Sequence, residues 1–315
     1  MSPLASIFGA AIAARNALYD HRLLVARRLR GPVISVGNIS VGGTGKTPFV
    51  IMLGELLKQR GISFDVLSRG YRRKTSGVLL VDPQGTPRDY GDEPLLIARK
   101  LGVPVFVGES RYLAGLASEH RFGPQLHLLD DGFQHRQLAR DYDIVLVTPD
   151  DANGRLLPTG RLREPVSALR RADAVVLTPG TSPSGLPLAG KLVMRAHRGI
   201  GVGNAPRNPV AFCAIGRPDQ FFRQLRESNV QTAAEITFRD HHSYTQADVA
   251  NLRAAATRNG ANGFITTEKD AVNIGPLAAQ LEPLCIVRAI MTVDDANTAL
   301  DAILAKIAER RGTLA

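Results

Sequence analysis

The sequence predicts an α/β protein, a parallel sheet with helices on both faces followed by a second, smaller α/β domain. Three observations carry this reading. A strand, a glycine-rich loop and a helix follow one another between Pro32 and Gly61. Short apolar runs of strand length then recur with helical stretches between them, the alternation that builds a parallel sheet. The 315 residues, 44% hydrophobic and 22% charged, are long for one compact domain and can bury a sizeable core.

In chain order, Met1–Ala14 is an uncharged opening of 14 residues. A spanning helix needs roughly 20 apolar residues, and no Lys or Arg precedes the run, so neither a transmembrane helix nor a signal peptide is expected. At 3.6 residues per turn Leu4, Ile7, Phe8, Ala11 and Leu18 share a face that Arg15 and Arg22 interrupt. Arg27, Arg28 and Arg30 follow, while Asp20 is the sole acid before Glu55. Residues 1–30 therefore read as a segment that either lies in anionic headgroups or packs on its own domain.

Pro32–Val36 reads as a buried strand, and Phe49, Val50, Leu53, Leu56 and Leu57 follow at helical spacing up to Gly61. Further strands are expected at Val103–Val107, Leu126–Leu129, Ile144–Val147 and Ala174–Leu177, with a helix around Arg111–Glu119. From Gly180 to Pro209 the chain is rich in Pro, Gly and Ser, which places a boundary near residue 205 and the first domain at 31–204. The second, 205–315, offers a strand at Val210–Ile215 and a helix from Pro218. A helix opened by a Thr245/Asp248 capping pair follows, then strands at Gly263–Thr266 and Leu284–Val287.

Lys and Arg number 39 against 29 Asp and Glu, a net charge of +10 that attracts phosphates, nucleic acid or an anionic membrane. Cys213 and Cys285 are the two cysteines, far apart and outside any Cys/His cluster, so no disulfide framework or zinc site is expected and a reducing compartment fits.

The strongest chemical signal is Val41-Gly42-Gly43-Thr44-Gly45-Lys46-Thr47 between strand and helix. Its backbone N–H groups can cradle phosphate oxygens at a helix N-terminus, Lys46 can reach the β- and γ-phosphates, and Thr47 can offer its hydroxyl to Mg²⁺. Pro48 is tolerated in the first helical turn. Ser40 stands where the phosphate-loop pattern has its first glycine. The fold expected is thus P-loop NTPase-like. Asp130 and Asp131 end a strand beside this loop, where carboxylates hold Mg²⁺ and its waters. Gln134 and His135 follow at the same edge, for structural hydrogen bonds or catalysis. Gly91-Asp92-Glu93-Pro94 puts two carboxylates at a helix start, and Asp240-His241-His242 adds a carboxylate and imidazoles; either group can be mere capping or can supply the proton acceptor a phosphoryl acceptor needs. The loop Leu157–Pro165 carries Arg161, Arg163 and Glu164, suited to gripping phosphates.

Taken together and in order, VGNISVGGTGKTP, SRGYRRK, GDEP, LLDDGFQHR, LPTGRLREP, FRDHHSY and TTEKDAV resemble the tetraacyldisaccharide 4'-kinase family over nearly the whole chain. The resemblance implies ATP-dependent phosphorylation of the 4'-hydroxyl of a tetraacylated disaccharide 1-phosphate, giving a lipid A precursor at the cytoplasmic face of a bacterial inner membrane. By position it implies Gly42, Gly43, Thr44, Gly45, Lys46 and Thr47 as the phosphate loop and Thr47, Asp130 and Asp131 as the Mg²⁺ site. Gln134 and His135 become the polar pair beside them. Asp92 becomes the catalytic aspartate with His241 as its partner, and Glu93 and Glu164 supporting acids. His242 directly after His241 leaves the register of that histidine to geometry. The four-chain substrate favours membrane contact for residues 1–30, at about 0.8 kcal/mol per buried CH₂, and the anionic membrane surface and the 1-phosphate give the basic charge a use. No nucleic-acid module is found and a monomer is expected. Two other classes fit less well: a nucleotide-switched metal-delivery or targeting NTPase would want the Cys/His clusters this chain lacks, and an ATP-binding scaffold does not need Asp92, Asp130 and Asp131 together.

Overall fold

The computed structural model describes residues 3–312; Met1 and Ser2 of the expected opening segment lie outside them. Among the described residues the strands are β1 Val33–Asn38, β2 Phe64–Ser68, β3 Leu79–Leu80, β4 Val105–Val107, β5 Leu126–Asp130 and β6 Tyr142–Val147, then β7 Ala174–Leu177, β8 Leu192–Gly201, β9 Val210–Cys213, β10 Ala234–Thr237, β11 Phe264–Thr267 and β12 Leu284–Val293. The helices are α1 Pro3–Asp20, α2 Lys46–Gln59, α3 Pro87–Tyr90, α4 Asp92–Leu101, α5 Arg111–Phe122, α6 Pro218–Glu227, α7 Gln246–Arg258, α8 Glu268–Ile274 and α9 Ala296–Arg311.

All twelve strands join one sheet in the order β10-β9-β11-β12-β8-β7-β6-β1-β5-β2-β4-β3. β1 lies inside a parallel block and is buried along its whole length, as are its parallel neighbours β5 and β6. Helices cover both faces there, which is why these strands read as continuous apolar runs rather than alternating ones. A second parallel block, β10-β9-β11-β12, builds the smaller lobe.

Two long strands make the joint. β8 pairs in parallel with β7 through Leu192–Arg195, then antiparallel with β12 from Ala196 to Gly201. β12 likewise pairs with β11 first and with β8 afterwards. The expected Pro/Gly/Ser-rich boundary therefore contains a ten-residue strand. Its signal is a period-two pattern, with Met194 and Ala196 buried and Arg195 and His197 out, which the flanking glycines and prolines mask.

The chain also crosses back after the smaller lobe. Ala299, Leu300, Ile303 and Ile307 of α9 pack into the same core as Ile34, Val36 and Leu128 of the large lobe. Arg311 closes the helix on Asp141 at 2.6 Å and on the carbonyls of Arg30 and Gly31, so residues within the expected 205–315 range serve the first core. α2 and α4 pack together in that core through Leu53, Leu57 and Leu101. In the smaller lobe α7 carries the expected Thr245/Asp248 capping box.

α1 lies against the large lobe by polar contacts, Arg15 reaching the Gln134 carbonyl at 3.1 Å and Asn16 the Glu164 carboxylate at 2.8 Å. Leu4 and Ile7 are 64% and 67% exposed. No described helix is long and apolar enough to cross a membrane.

Candidate functional site

The site gathers at the C-terminal edge of β1, β5 and β2, where open α/β sheets bind ligands. β1 ends at Asn38, whose amide donates to Thr44 Oγ1 at 2.9 Å and whose Oδ1 accepts from Lys46 Nζ at 3.2 Å. These bonds shape the loop from within. Gly45 sits at φ 88° immediately before α2, a left-handed conformation that glycine adopts without Cβ strain, and it turns the chain so that α2 begins at Lys46. The first turn of α2 holds no acid, so its amides and positive dipole end are left for a ligand. Ser40 is buried and bridges to Leu162, which places it in the packing beneath the loop.

Asp130 is buried, accepts from Ser68 Oγ at 3.0 Å and leaves Oδ1 without a partner. Burial, then Glu93 and Asp131, push its carboxyl well above the usual range. Burial acts on Asp131 in the same sense, but Lys46 at 3.4 Å and Arg163 at 2.8 Å outweigh it and hold it at about 2. The two adjacent aspartates are thus shifted in opposite directions.

Gln134 bonds the Asn38 carbonyl and Glu164. Glu164 is fully buried and engaged by Asn16, Gln134 and Arg171 at 2.8 to 3.1 Å. It does not line the cavity, and neither does His135. Of the two expected supporting acids Glu93 lines the cavity and Glu164 does not, and of the expected polar pair Gln134 lines it and His135 does not. His135 is pushed down to about 3 by burial first and then by Arg111, Arg140, Arg15 and Arg69, a neutral ring in a strongly positive field.

The second cluster spans the two lobes. His241 Nδ1 lies 2.7 Å from Asp92 Oδ2, which also accepts from Asn273 at 3.2 Å. Asp92 is 5% exposed; burial would raise it, yet His241, Lys269 and Asn273 together bring it to about 2. His242 turns away, bonding Asp248 at 3.0 Å and stacking on Phe238. Of the adjacent pair, His241 faces the acid.

Gly42 to Thr47, Asp92, Glu93, Asp130, Asp131, Gln134 and His241 line one cavity of about 720 Å³. Its far wall comes from the joint and the smaller lobe, including Arg198, Ile200, Phe221 and Met291. A Cβ at Gly216 would lie 3.0 Å from the Gly43 amide nitrogen, so glycine here lets the smaller lobe approach the loop closely. Arg217 beside it reaches Asp150 at 2.8 Å. Sequence reading did not single out Asn38, Arg198, Arg217, Lys269 or Asn273. Lys269 did fall inside the motif TTEKDAV, directly after a strand end, the one local signal it offers.

The family model described as tetraacyldisaccharide-1-P 4'-kinase, LpxK, matches residues 1–308. A tetraacyldisaccharide 4'-kinase of Koribacter versatilis is 50% identical over 321 residues, covering 99% of each chain, and one of Aquifex aeolicus is 37% identical over 289 residues, covering 86% of this chain and 88% of that one. The crystal structure of LpxK from Aquifex aeolicus in complex with ATP superposes with a TM-score of 0.79 at 33% identity, covering 97% of both chains. The chain belongs to the tetraacyldisaccharide-1-phosphate 4'-kinase family.

Proposed function

We propose that this chain transfers the γ-phosphoryl group of ATP to the 4'-hydroxyl of a tetraacylated disaccharide 1-phosphate, at the cytoplasmic face of an inner membrane. The observation that carries the reading is the Asp92–His241 pair, held 2.7 Å apart across the lobes and facing the same cavity as the phosphate loop. A nucleotide switch or scaffold has no need of a buried carboxylate opposite its phosphates.

The loop amides and the α2 N-terminus bind the phosphates, and Lys46 neutralises charge on them. Asp92 is ionised throughout the neutral range. It is a weak base, so its work is to accept the hydrogen bond of the 4'-hydroxyl and aim that oxygen in line, which suits a loose phosphoryl transfer. His241 holds the carboxylate. The unpartnered Asp130 Oδ1, with Asp131 and Thr47 close in the cavity lining, is a hard oxygen set of the kind Mg²⁺ takes alongside substrate phosphates. No cluster of three His, Cys, Asp or Glu ligands occurs among the described residues, which fits an ion shared with the nucleotide. When bound, Mg²⁺ would neutralise charge on the transferring group. Closure of the large lobe and the smaller one about β8 and β12 would exclude water, and we take residues 31–204 and 205–315 as these units, with α9 returning to the first. α1 and the basic segment after it would lie on the anionic membrane surface, the chain working as a monomer.

The test is transfer of labelled γ-phosphate from ATP to tetraacyldisaccharide 1-phosphate in detergent micelles. Native chain should phosphorylate the lipid. Asp92→Ala should lower kcat by about 10²-fold or more with little change in the KM for ATP, whereas Lys46→Ala should weaken nucleotide binding as well. ATP hydrolysis without lipid phosphorylation would overturn the reading.

A further inference from the structure

We propose that Lys269 is a positioning residue for the Asp92–His241 pair: its ammonium keeps His241 Nε2 unprotonated and so fixes the ring as the tautomer whose Nδ1–H donates to Asp92. The inference rests on the kinase reading for its catalytic consequence, and on geometry alone for the tautomer.

Lys269 Nζ lies 3.2 Å from His241 Nε2, 3.4 Å from Glu93 Oε1, 3.5 Å from Asp240 Oδ1 and 3.8 Å from Asp92 Oδ2. An ammonium has three donors and no acceptor. A nitrogen at hydrogen-bond distance from it must therefore present a lone pair, so Nε2 accepts and the ring proton resides on Nδ1. Nδ1 in turn faces Asp92 Oδ2 at 2.7 Å. The chain Lys269, His241, Asp92 runs in one donor direction, and a doubly protonated ring would set two cations against each other at 3.2 Å. Burial pulls the ammonium down, but Glu93, Asp92 and Asp240 outweigh it and keep Lys269 charged.

Every charged or titratable group around the ring acts within this scheme. α4 contributes Asp92 and Glu93, α8 contributes Lys269, and Asp240 precedes the histidine. The loop after β2 contributes Tyr71, whose ring meets His241 edge-on at 5.5 Å, and Arg72, which grips the Asp240 carbonyl at 2.8 Å. Among the described residues, Lys269 is the one cation that touches an imidazole nitrogen. A lysine in the first turn of a helix also opposes the helix dipole, so α8 itself gives no reason for it. The consequence is that Asp92 stays a free carboxylate oriented by a neutral ring, with one cation serving the three acids between the lobes.

The experiment labels the imidazoles of the full chain with ¹⁵N, assigns His241 by comparison with His241→Gln, and follows its two nitrogens with pH in native protein, Lys269→Met and Lys269→Arg. The expected native spectrum of the singly protonated ring has Nδ1 protonated and Nε2 unprotonated. In Lys269→Met the ring should take its second proton at a pH higher by about one unit or more. The acid limb of kcat should move with it, and kcat at neutral pH should fall about tenfold, with the KM for ATP within about twofold; Lys269→Arg, which also donates without accepting, should restore the native titration. A native ring protonated on Nε2, or a His241 titration unmoved in Lys269→Met, would overturn the proposal. The spectrum of the native chain requires neither a variant to fold nor any phosphoryl transfer, so failure of the kinase reading would show separately, as native protein that leaves the lipid unphosphorylated.

Discussion

His241 adopts φ 58°, in the left-handed region that a non-glycine residue rarely enters. Such a conformation persists where surrounding contacts over-determine it, and here Asp92 grips the ring while Arg72, itself at φ 61°, grips the backbone on either side. The geometry separates the two adjacent histidines experimentally. Asn tolerates the left-handed region, so His241→Asn should keep the turn while losing the ring, lowering kcat by about 10²-fold with an unchanged KM for ATP. His242→Asn should leave kcat near native and lower stability by about 1 kcal/mol through its lost bond to Asp248, which chemical denaturation reads. A kcat that falls equally in both would place the chemistry on neither ring in particular. The phosphate loop was legible in the sequence because its determinants lie within a few residues of one another. Asp92 and His241 are 149 residues apart, and no spacing rule reports that they meet. Their pairing was reached from the resemblance alone, and a positive φ on a histidine leaves no mark in the sequence. Glu164 and His135 were assigned by the resemblance; neither lines the cavity, and Glu164 is instead engaged by Asn16, Gln134 and Arg171.

Between elements, one buried polar cluster ties the N-terminal segment to the sheet. His127 of β5 lies opposite Asp65 of β2 in the register, with Nδ1 2.9 Å from the carboxylate, and its Nε2 is 3.3 Å from Glu119 of α5, which also accepts from the Gly31 amide at 2.7 Å. Burial would lower the ring, but Asp65 and then Glu119 raise it above its ordinary value. A raised histidine contributes stability that is fully present below its unfolded pKa of about 6.5 and lost as pH rises through the folded value. Native protein should therefore lose stability to urea on going from pH 6 into the alkaline range, and His127→Gln should be less stable at pH 6 with a flatter dependence. Parallel curves for the two would show that the imidazolium is not what joins these elements. Neighbouring strands were readable because continuous apolar runs mark burial on both faces. β8 was not, since a strand exposed on one side between Gly- and Pro-rich flanks looks like a linker, and the partners of His127, Asp65 and Glu119, are set by sheet register and helix packing that the sequence does not display.

For the whole molecule, the return of α9 to the first core was also hidden, because helix periodicity says which face is apolar and never which core receives it. The same limit applied to α1, and the structure shows that its exposed side is apolar. Leu4, Ile7 and Leu18 stand in solvent, and the turn after the helix, whose Leu23 and Leu24 amides donate to the Leu18 carbonyl, carries the exposed Leu23 and Val25. Arg22, Arg27, Arg28 and Arg30 lie near these residues in the chain, within a molecule of net charge +10. Exposed apolar residues followed in the chain by cations fit an anionic bilayer surface, and Asn16 and Arg15 fasten α1 to Glu164 and to the Gln134 carbonyl of the large lobe. Burying Leu4 and Ile7 in the headgroup boundary would supply about 1.5 to 3 kcal/mol each, so the double substitution Leu4→Asp with Ile7→Asp should weaken vesicle binding by about 10²-fold or more at roughly 1.4 kcal/mol per decade. Native chain should co-float with phosphatidylglycerol vesicles, and less so as salt shortens the Debye length. Binding that is indifferent to lipid charge, salt and these substitutions alike would remove α1 from the membrane and leave it as a strut of the large lobe.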